Sequence, residues 1–284
     1  MNMDSTKIGI VIVVYYPDEL VLKSKLARLK NSFEVVVVDN TPTSMRIVSD
    51  CSFAYIPLNK NTGIAKAQNE GIAFLQKKNC THIVFFDQDS DWTSLYVESV
   101  VAEYIRISEF RTDLFLLGPR VINESDGEEY RSVVHKDVES DKGFVYKREI
   151  ISSGSCLQVS KLEKTGLLDE AFFIDFVDFE YCWRAEMLGL VCGITNGVTL
   201  RHKVGQKDIK FPFGYSVIIS SPFRYYYQYR NHLWLCKRRY VPLQWKVNTG
   251  IKHFLRILYF PFVVKGWVQI EKNIIKGIIH GIFK

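Results

Sequence analysis

Residues 85–91 read FFDQDSD, and the organisation of the chain can be predicted outward from them. The apolar run Ile83–Phe86 is short and uninterrupted, as expected of a strand buried on both faces of a parallel sheet. Asp87 and Asp89 follow where that strand ends, and ligands of open α/β sheets bind at the carboxyl ends of strands. Two close carboxylates repel each other unless a cation lies between them. The stretch is therefore either a cation-binding strand end or a plain polar turn.

Apolar runs and amphipathic segments alternate along the first half of the chain. The pattern predicts strands at Ile8–Tyr16, Phe33–Val38, Phe53–Pro57 and Leu114–Leu117, and helices around Leu20–Leu29, at Ile64–Lys78 and at Trp92–Ile107. Successive strand–helix–strand units connect with a right-handed crossover. We therefore predict an α/β fold with a Rossmann-like, mostly parallel sheet flanked by helices. Asp39 ends the second strand and is predicted at the same sheet edge as Asp87.

The segment before the second helix carries the pattern N-x-G-x-x-x-A-x-N-x-G. Its members are Asn61, Gly63, Ala67, Asn69 and Gly71. Small residues allow another backbone to approach closely, and amide side chains can hydrogen-bond a polar ligand. The same pattern is also compatible with a turn and a tightly packed helix that bind nothing.

Two further aspartates lie near the start of a later helix. The helix is predicted at Phe179–Leu188, with Asp178 at its N-terminus and Asp175 three residues earlier. The helix dipole favours an ionised carboxylate there, whether Asp178 is only a cap or a general base. Between these features, the charged segment Asn123–Lys142 is predicted to be a mobile excursion or lid.

Charge is distributed unevenly along the 284 residues. The net charge is +6, but the 61 residues from Arg224 onward carry 12 lysines and arginines against one acid, Glu271. Arg256, Pro261 and Lys265 interrupt the apolar segment Phe254–Ile270, which would therefore lie in a membrane interface and not span it. The basic and aromatic mixture also fits nucleic acid, but tryptophans and an isoleucine-rich end favour an anionic membrane surface.

The six cysteines show no C-x-x-C or paired metal spacing: Cys51, Cys80, Cys156, Cys182, Cys192 and Cys236. Reduced thiols in a cytosolic compartment are expected. The apolar run at the N-terminus is too short, and too poorly flanked, for a signal peptide and is interpreted as the first strand. We predict a catalytic domain over residues 1–215 and membrane-associating helices over residues 216–284.

The ordered set of motifs resembles the inverting family 2 glycosyltransferases with a GT-A fold, and bacterial rhamnosyltransferases most closely. The motifs are Asp39 after the second strand, the N-x-G pattern, Asp87-Gln88-Asp89 and FIDFVDFEYCWRAEMLG, and the resemblance covers about residues 8–205. It implies transfer of a sugar, rhamnose from dTDP-rhamnose, to a lipid-linked saccharide in cell-surface polysaccharide synthesis. It also implies a peripheral protein on the cytoplasmic face of the cell membrane.

The resemblance implies site residues position by position. Asp178 matches the general base, and Asp175 is its competitor. Mn²⁺ or Mg²⁺ is expected on Asp89, Asp87 and His202, since hard oxygen ligands suit these ions. The nucleotide-sugar contacts are expected from Asp39, Asn61, Gly63, Asn69, Asp87 and Arg230.

One alternative from a different class is a non-catalytic, nucleotide-dependent protein that binds nucleic acid or a lipid surface. It explains the basic tail but leaves the ordered carboxylates without a function. The motifs G-x-G-x-x-G after the first strand and G-x-x-x-x-G-K-[ST] are both missing, which disfavours a dinucleotide dehydrogenase and a phosphate-loop enzyme.

Overall fold

A computed structural model describes residues 6–43, 53–123, 138–139, 142–202, 208–210 and 216–283. For residues 123, 138–139, 201–202, 208–210 and 216–218 it describes the backbone alone. Most of the predicted excursion Asn123–Lys142, one cysteine (Cys51) and the predicted domain boundary at residue 215 lie outside this range.

Nine strands form one sheet. Its first part is parallel and comprises β1 (Ile8–Val14), β2 (Glu34–Asp39), β3 (Ala54–Pro57) and β4 (His82–Asp87). Its second part comprises β5 (Leu114–Asn123), β6 (Val138–Glu139), β7 (Phe144–Tyr146), β8 (Cys156–Gln158) and β9 (Val191–His202). The order is β3-β2-β1-β4-β8-β5-β9-β7-β6. A separate hairpin joins β10 (Asp208–Lys210) to β11 (Ser216–Ile218).

The helices flank this sheet and then extend beyond it. Those of the α/β part are α1 (Glu19–Leu26), α2 (Ile64–Lys77), α3 (Ser94–Ser108), α4 (Leu162–Thr165) and α5 (Val177–Met187). N-cap side chains stabilise the starts of two of them: those of Asp18 and Thr93 accept hydrogen bonds from amides in the first turns of α1 and α3. The C-terminal helices are α6 (Pro222–Lys237), α7 (Leu243–Val263) and α8 (Trp267–Phe283).

β1, β2 and β4 are buried on both faces, because helices cover each side, whereas β3 at the sheet edge is only half-buried. Ile10 and Ile12 of β1 face one apolar cluster, which includes side chains of α1 and α3. Val11 faces the other cluster, which includes side chains of α2 and α5. Gly71 of α2 makes this second contact close: a Cβ there would lie 2.5 Å from Val11 Cγ1. The small residues of the N-x-G pattern thus serve helix–sheet packing, as predicted.

The C-terminal helices share the core of the α/β part. Leu235 of α6 is buried in the cluster that covers the α2 face of the sheet. A third cluster joins α6, α7 and α8 through Tyr225, Phe260 and Ile274. Within the described residues no helix is both long enough and apolar enough to cross a membrane.

The predicted mostly parallel α/β sheet is confirmed, with three differences. β8 runs antiparallel between β4 and β5, because the chain returns to the sheet centre after β7. β5 is longer than predicted, since it pairs with β9 through irregular registers as far as Asn123, opposite His202. In the charged excursion, Val138–Glu139 pairs with β7 and forms the sheet edge.

Candidate active site

Sheet order brings the first two acids to one edge. β1 lies between β2 and β4, and its residues Val14 and Val13 pair with Asp39 and Asp87. Both aspartates are the last residues of parallel strands, so both point to the carboxyl edge where α/β sheets bind ligands. The predicted common edge for Asp39 and Asp87 is confirmed.

Asp39 is fully buried and hydrogen-bonded through both oxygens. Its Oδ1 accepts from the amide of Thr41 at 2.9 Å, and its Oδ2 accepts from the hydroxyl of Tyr55 on β3. These contacts fix the carboxylate beside the start of the next loop. Its contact with a nucleotide base stays a prediction.

The loop before α2 is shaped by amide side chains. Asn40 Oδ1 accepts from the amide of Thr62 at 2.7 Å, and Asn61 Oδ1 accepts from Asn40 Nδ2 and from the amide of Gly63, each at 3.1 Å. Gly63 has φ +84°, and a Cβ there would lie 2.4 Å from the carbonyl oxygen of Phe173. Glycine is therefore required both for the backbone angle and for the close approach.

Asn69 holds a distant loop in place. Its Nδ2 donates to the carbonyl oxygen of Leu168 at 2.9 Å and to Glu170 Oε1 at 3.0 Å, while its Oδ1 accepts from the Leu168 amide. The amide is buried and its polar atoms are all used. The structure therefore gives Asn69 a packing function, and its predicted contact with the donor is untested.

The turn that carries the D-x-D residues is fixed by a lysine. Lys25 Nζ of α1 donates to the carbonyl oxygens of Gln88 and Ser90, each at 2.9 Å. Asp87 is half-buried and Asp89 is exposed. A rigid turn thus presents one shielded and one solvated carboxylate at the sheet edge.

The acidic loop, residues 172–178, supplies the other two carboxylates. Asp178 is the second residue of α5, which begins two residues earlier than predicted; its predicted place at the N-terminus of this helix is confirmed. Burial raises the pKa of Asp178 to about 6; hydrogen bonds from the backbone and hydroxyl of Ser152 oppose the rise, and the charge of Asp175 adds to it. Asp178 therefore carries a pKa near neutrality, which suits a proton acceptor.

Asp175 has a different environment from Asp178. Arg224 of α6 forms a bidentate ion pair with it: Nη2 lies 2.5 Å from Oδ1 and Nε lies 3.2 Å from Oδ2. Only 9% of the Asp175 side chain is exposed. Both carboxylate oxygens of Asp175 are thus occupied by the guanidinium fork of Arg224.

The acids of the two strands and of the acidic loop are electrostatically linked. Burial raises the pKa of Asp87 to about 7, the carboxylates of Asp178 and Asp89 add to the rise, and Arg224 opposes it. These charged groups therefore lie near one another at the carboxyl edge of the sheet, where Ser152 contacts Asp178 and Ser153 Oγ accepts from the Asp87 amide.

Arg230 is buried beneath the acidic loop. Its Nη2 donates to the carbonyl oxygens of Ala171 and Phe172 at 2.7 and 3.1 Å, and its guanidinium lies 4.1 Å from the ring centre of Trp234. Asn231 Nδ2 donates to the same Phe172 carbonyl oxygen and to two further ones, those of residues 174 and 175. These contacts support the loop, and a contact between Arg230 and the donor remains a prediction.

Sequence reasoning missed Arg224 and Asn40. Arg224 was hidden in a run of basic and aromatic residues, where no local signal indicates its partner Asp175. Asn40 directly follows the strand-end acid Asp39, which could have indicated it. The side chain of His202 lies outside the described residues; its backbone ends β9 opposite Asn123.

A comparison with protein-family models matches residues 10–156 to the model described as Glycosyl transferase family 2. The chain belongs to glycosyl transferase family 2. The matched range contains Asp39, the N-x-G pattern, Asp87 and Asp89, which are the residues that the sheet brings to its carboxyl edge.

Two curated relatives extend the similarity beyond this range. The dTDP-rhamnosyl transferase RfbF of Shigella flexneri is 29% identical over 290 residues, which cover 98% of this chain and 96% of the relative. The low-salt glycan biosynthesis hexosyltransferase Agl10 of Haloferax volcanii is 24% identical over 225 residues, or 74% and 72% of the two chains. This family 2 glycosyltransferase is therefore rhamnosyltransferase-like.

Solved structures agree on the fold. S. aureus TarS 1-349 has a TM-score of 0.59 at 14% identity, covering 98% of this chain and 81% of TarS 1-349. GalNAc-T7, solved with UDP, GalNAc and Mn²⁺, has a TM-score of 0.55 at 13% identity, covering 72% of this chain and 45% of that one. The chain thus spans less than half of the GalNAc-T7 structure. The predicted GT-A type fold is confirmed.

Proposed function

We propose that this glycosyltransferase moves an L-rhamnosyl group from dTDP-rhamnose to a hydroxyl of a saccharide acceptor, with inversion at the anomeric carbon. The observation that carries the mechanism is that Asp87, at the end of β4, lies near enough to Asp89 and to the helix-borne Asp178 for their charges to raise its pKa. The choice of donor rests on the near full-length similarity to a dTDP-rhamnosyl transferase.

Asp178 is proposed as the general base. In an inverting displacement the acceptor oxygen attacks the face of the sugar opposite the leaving diphosphate, and a base takes its proton. Asp178 has a pKa of about 6 and no cation paired with it, whereas Asp175 is held by Arg224. Asp178 is therefore ionised at pH 7 and still basic enough to accept a proton, and Asp175 is assigned to fixing Arg224.

A divalent cation, Mn²⁺ or Mg²⁺, fits the strand-end carboxylates. Mg²⁺ is commonly bound by one or two carboxylates together with substrate phosphates and water, so Asp87 and Asp89 suffice as protein ligands. Mutual repulsion of the acids contributes to the raised pKa of Asp87, which a cation would relieve. When bound, the ion would neutralise charge on the leaving diphosphate. No group of three or more metal-ligating side chains occurs in the described part of the chain, and a contribution from His202 stays a proposal.

The donor test uses a panel of nucleotide sugars. Related folds have been solved with UDP-GlcNAc (TarS) and with UDP and GalNAc (GalNAc-T7), so the panel pairs dTDP-rhamnose and dTDP-glucose with UDP-GlcNAc and UDP-GalNAc. We expect dTDP-rhamnose to release nucleoside diphosphate fastest in the presence of Mn²⁺ or Mg²⁺. Faster turnover of either UDP-sugar would overturn the donor assignment.

A membrane surface is the proposed partner of α7 and α8. Seven large apolar side chains of α7 are exposed and follow each other mostly at intervals of three or four residues: Leu243, Val247, Ile251, Phe254, Leu255, Leu258 and Phe262. Such spacing gives one continuous apolar face on a helix. The 21 residues of α7 include no Asp or Glu, and Lys252 and Lys265 are exposed beside the face. An apolar face with lysines at its rim suits the anionic headgroup region of a bilayer.

This surface supports a peripheral location on the cytoplasmic face of the cell membrane, with a lipid-linked acceptor for cell-surface polysaccharide synthesis. The test compares vesicle cosedimentation of the parent with a triple variant, I251S/L255S/L258S. A matched control, L20S/L95S, removes exposed apolar side chains from α1 and α3. We expect the triple variant alone to lose binding to anionic vesicles. Equal binding of both variants, or tighter binding of the parent to nucleic acid, would contradict the proposal.

A further inference from the structure

One aromatic side chain beside the acidic loop, that of Phe223, remains exposed to solvent although its neighbours are packed. Phe223, the second residue of α6, has 43% of its surface exposed, although the neighbouring aromatic residues Phe173, Tyr225 and Tyr227 are buried or half-buried. A large apolar side chain gains little stability from such a position. What distinguishes Phe223 from other exposed apolar residues such as Leu20 is its position against the acidic loop.

The ring of Phe223 packs on one side against two stacked aromatic rings, those of Phe173 and Tyr227. Phe173 and Tyr227 lie parallel, with centroids 4.6 Å apart and planes 10° apart, and Arg230 lies over Tyr227 at 4.7 Å. Phe223 meets both rings edge-on, at 6.1 Å from Phe173 and 5.2 Å from Tyr227. One side of Phe223 is thereby fixed, and the remaining side faces outward.

The backbone beneath this stack is strained and well supported. Phe173, Asp175 and Phe176 all have φ of +65°, which costs a non-glycine residue of the order of 1 kcal/mol or more. Gly63 packs directly against Phe173, and the amide of Ile64 donates to its carbonyl oxygen at 2.7 Å. Strain of this kind persists where the surroundings enforce it, as in ligand-binding loops.

The residue that follows Phe223 in sequence, Arg224, forms an ion pair with Asp175 of the acidic loop. Arg224 uses Nε and Nη2 to hold Asp175, and its Nη1 makes no contact with Asp175. The charge of Asp175 raises the pKa of Asp178, and the charge of Arg224 lowers the pKa of Asp87. An open aromatic ring thus packs against Phe173 of the acidic loop, which also carries Asp175 and Asp178.

We propose that Phe223 is the platform on which the acceptor sugar stacks. A pyranose ring presents an apolar face of C–H groups surrounded by hydroxyls, so an aromatic face bordered by charged hydrogen-bonding groups matches it. The platform lies on the side of the acidic loop, while the loops after β1, β2 and β4 take the donor. This inference rests on the proposed function, because it names the binding site of the second substrate.

The experiment uses soluble alkyl glycosides as acceptors: octyl α-L-rhamnoside, octyl β-D-galactoside and octyl β-D-N-acetylglucosaminide. KM and kcat are measured with dTDP-rhamnose for the parent, F223A and F223W, with L20A as a control for loss of an exposed apolar side chain. Saturation-transfer NMR, with irradiation of the aromatic protons, reports ring-to-sugar contact independently of turnover. F223W keeps a platform and covers the case in which F223A does not fold.

We expect F223A to raise KM for the accepted glycoside by about tenfold or more, with a smaller change in kcat, and to lose saturation transfer to the sugar C–H protons. F223W and L20A should stay within about threefold of the parent. Unchanged KM and saturation transfer in F223A would overturn the platform. So would the absence of transfer to every glycoside in the parent, or a loss in F223A confined to vesicle binding. If no dTDP-sugar is consumed, the proposed function fails, while the NMR result still judges the platform.

Discussion

Replacement of Asp178 by Asn is predicted to lower the transfer rate and to raise the stability of the folded protein. The amide keeps the shape of the side chain but cannot accept the proton of the acceptor hydroxyl, so the transfer rate should fall by about two to four orders of magnitude. If a purely structural cap stood at this position, the rate would change little and stability would fall.

The expected gain in stability follows from the pKa. Asp178 has a pKa of about 6 in the folded protein, against an ordinary value of 3.8. The folded state therefore binds the proton more tightly than the unfolded state, and the charged carboxylate disfavours folding above pH 6. At pH 7 this corresponds to about 3 kcal/mol of unfolding free energy, an upper limit for the gain in D178N because Asn also alters the hydrogen bonds from Ser152. The difference between variant and parent should shrink below about 1 kcal/mol at pH 4.5.

Urea unfolding at pH 7.5 and 4.5, together with single-turnover rates, measures both effects. D175N is the matched control. It breaks the ion pair with Arg224, and because that arginine side chain is 43% exposed the loss of stability should be only about 1 kcal/mol. The reasoning is refuted if D178N is destabilised at pH 7.5, or if D175N loses the rate while D178N keeps it.

Three further predictions concern other parts of the molecule. D89N should abolish the stimulation of sugar transfer by Mn²⁺ or Mg²⁺. Its melting temperature should not change, because the Asp89 side chain is exposed. A full transfer rate in D89N, or in the parent with EDTA, would contradict the proposed metal site. G63A should weaken dTDP binding in calorimetry far more than G266A, since both glycines have positive φ but only Gly63 meets a neighbouring loop, at 2.4 Å; equal effects would contradict it. Burial lowers the pKa of His82 to about 4 and of His253 to about 2, so both stay neutral when folded but bind protons when unfolded. Each histidine should therefore lower stability by about 2 kcal/mol at pH 5, while protonation of Asp87 and Asp178 acts in the opposite direction. Urea titrations of H82Q and H253Q against the parent should show that much less destabilisation by acid in each variant.

The parallel half of the sheet was predictable because local signals agree there. β1, β2 and β4 are continuous apolar runs that end on polar residues, and short crossovers leave one arrangement for such strands. Asp39 and Asp87 were placed correctly for the same reason: a strand-end residue needs only the strand order to be located.

The contacts between the acidic loop and α6 were harder to predict from the sequence. Nothing near Asp175 in the sequence indicates that it pairs with a residue 49 positions later, and this pair is what separates it from Asp178. Arg230 was conspicuous in the sequence as a cation after the aromatic run, but its burial against the carbonyl oxygens of Ala171 and Phe172 could not be predicted from that position. Long-range contacts of this kind depend on how α6 docks, which helical periodicity does not specify.

The anomeric configuration of the product tests the central claim most directly. The protein is incubated with dTDP-rhamnose, Mn²⁺ or Mg²⁺ and an octyl glycoside, and the first product is examined by NMR before it can equilibrate. Direct displacement with Asp178 as base predicts a rhamnoside of configuration opposite to the donor, one dTDP released for each bond formed, and no sugar attached to the protein in mass spectra. A rhamnoside with the donor's configuration, or a glycosylated protein intermediate, would contradict it.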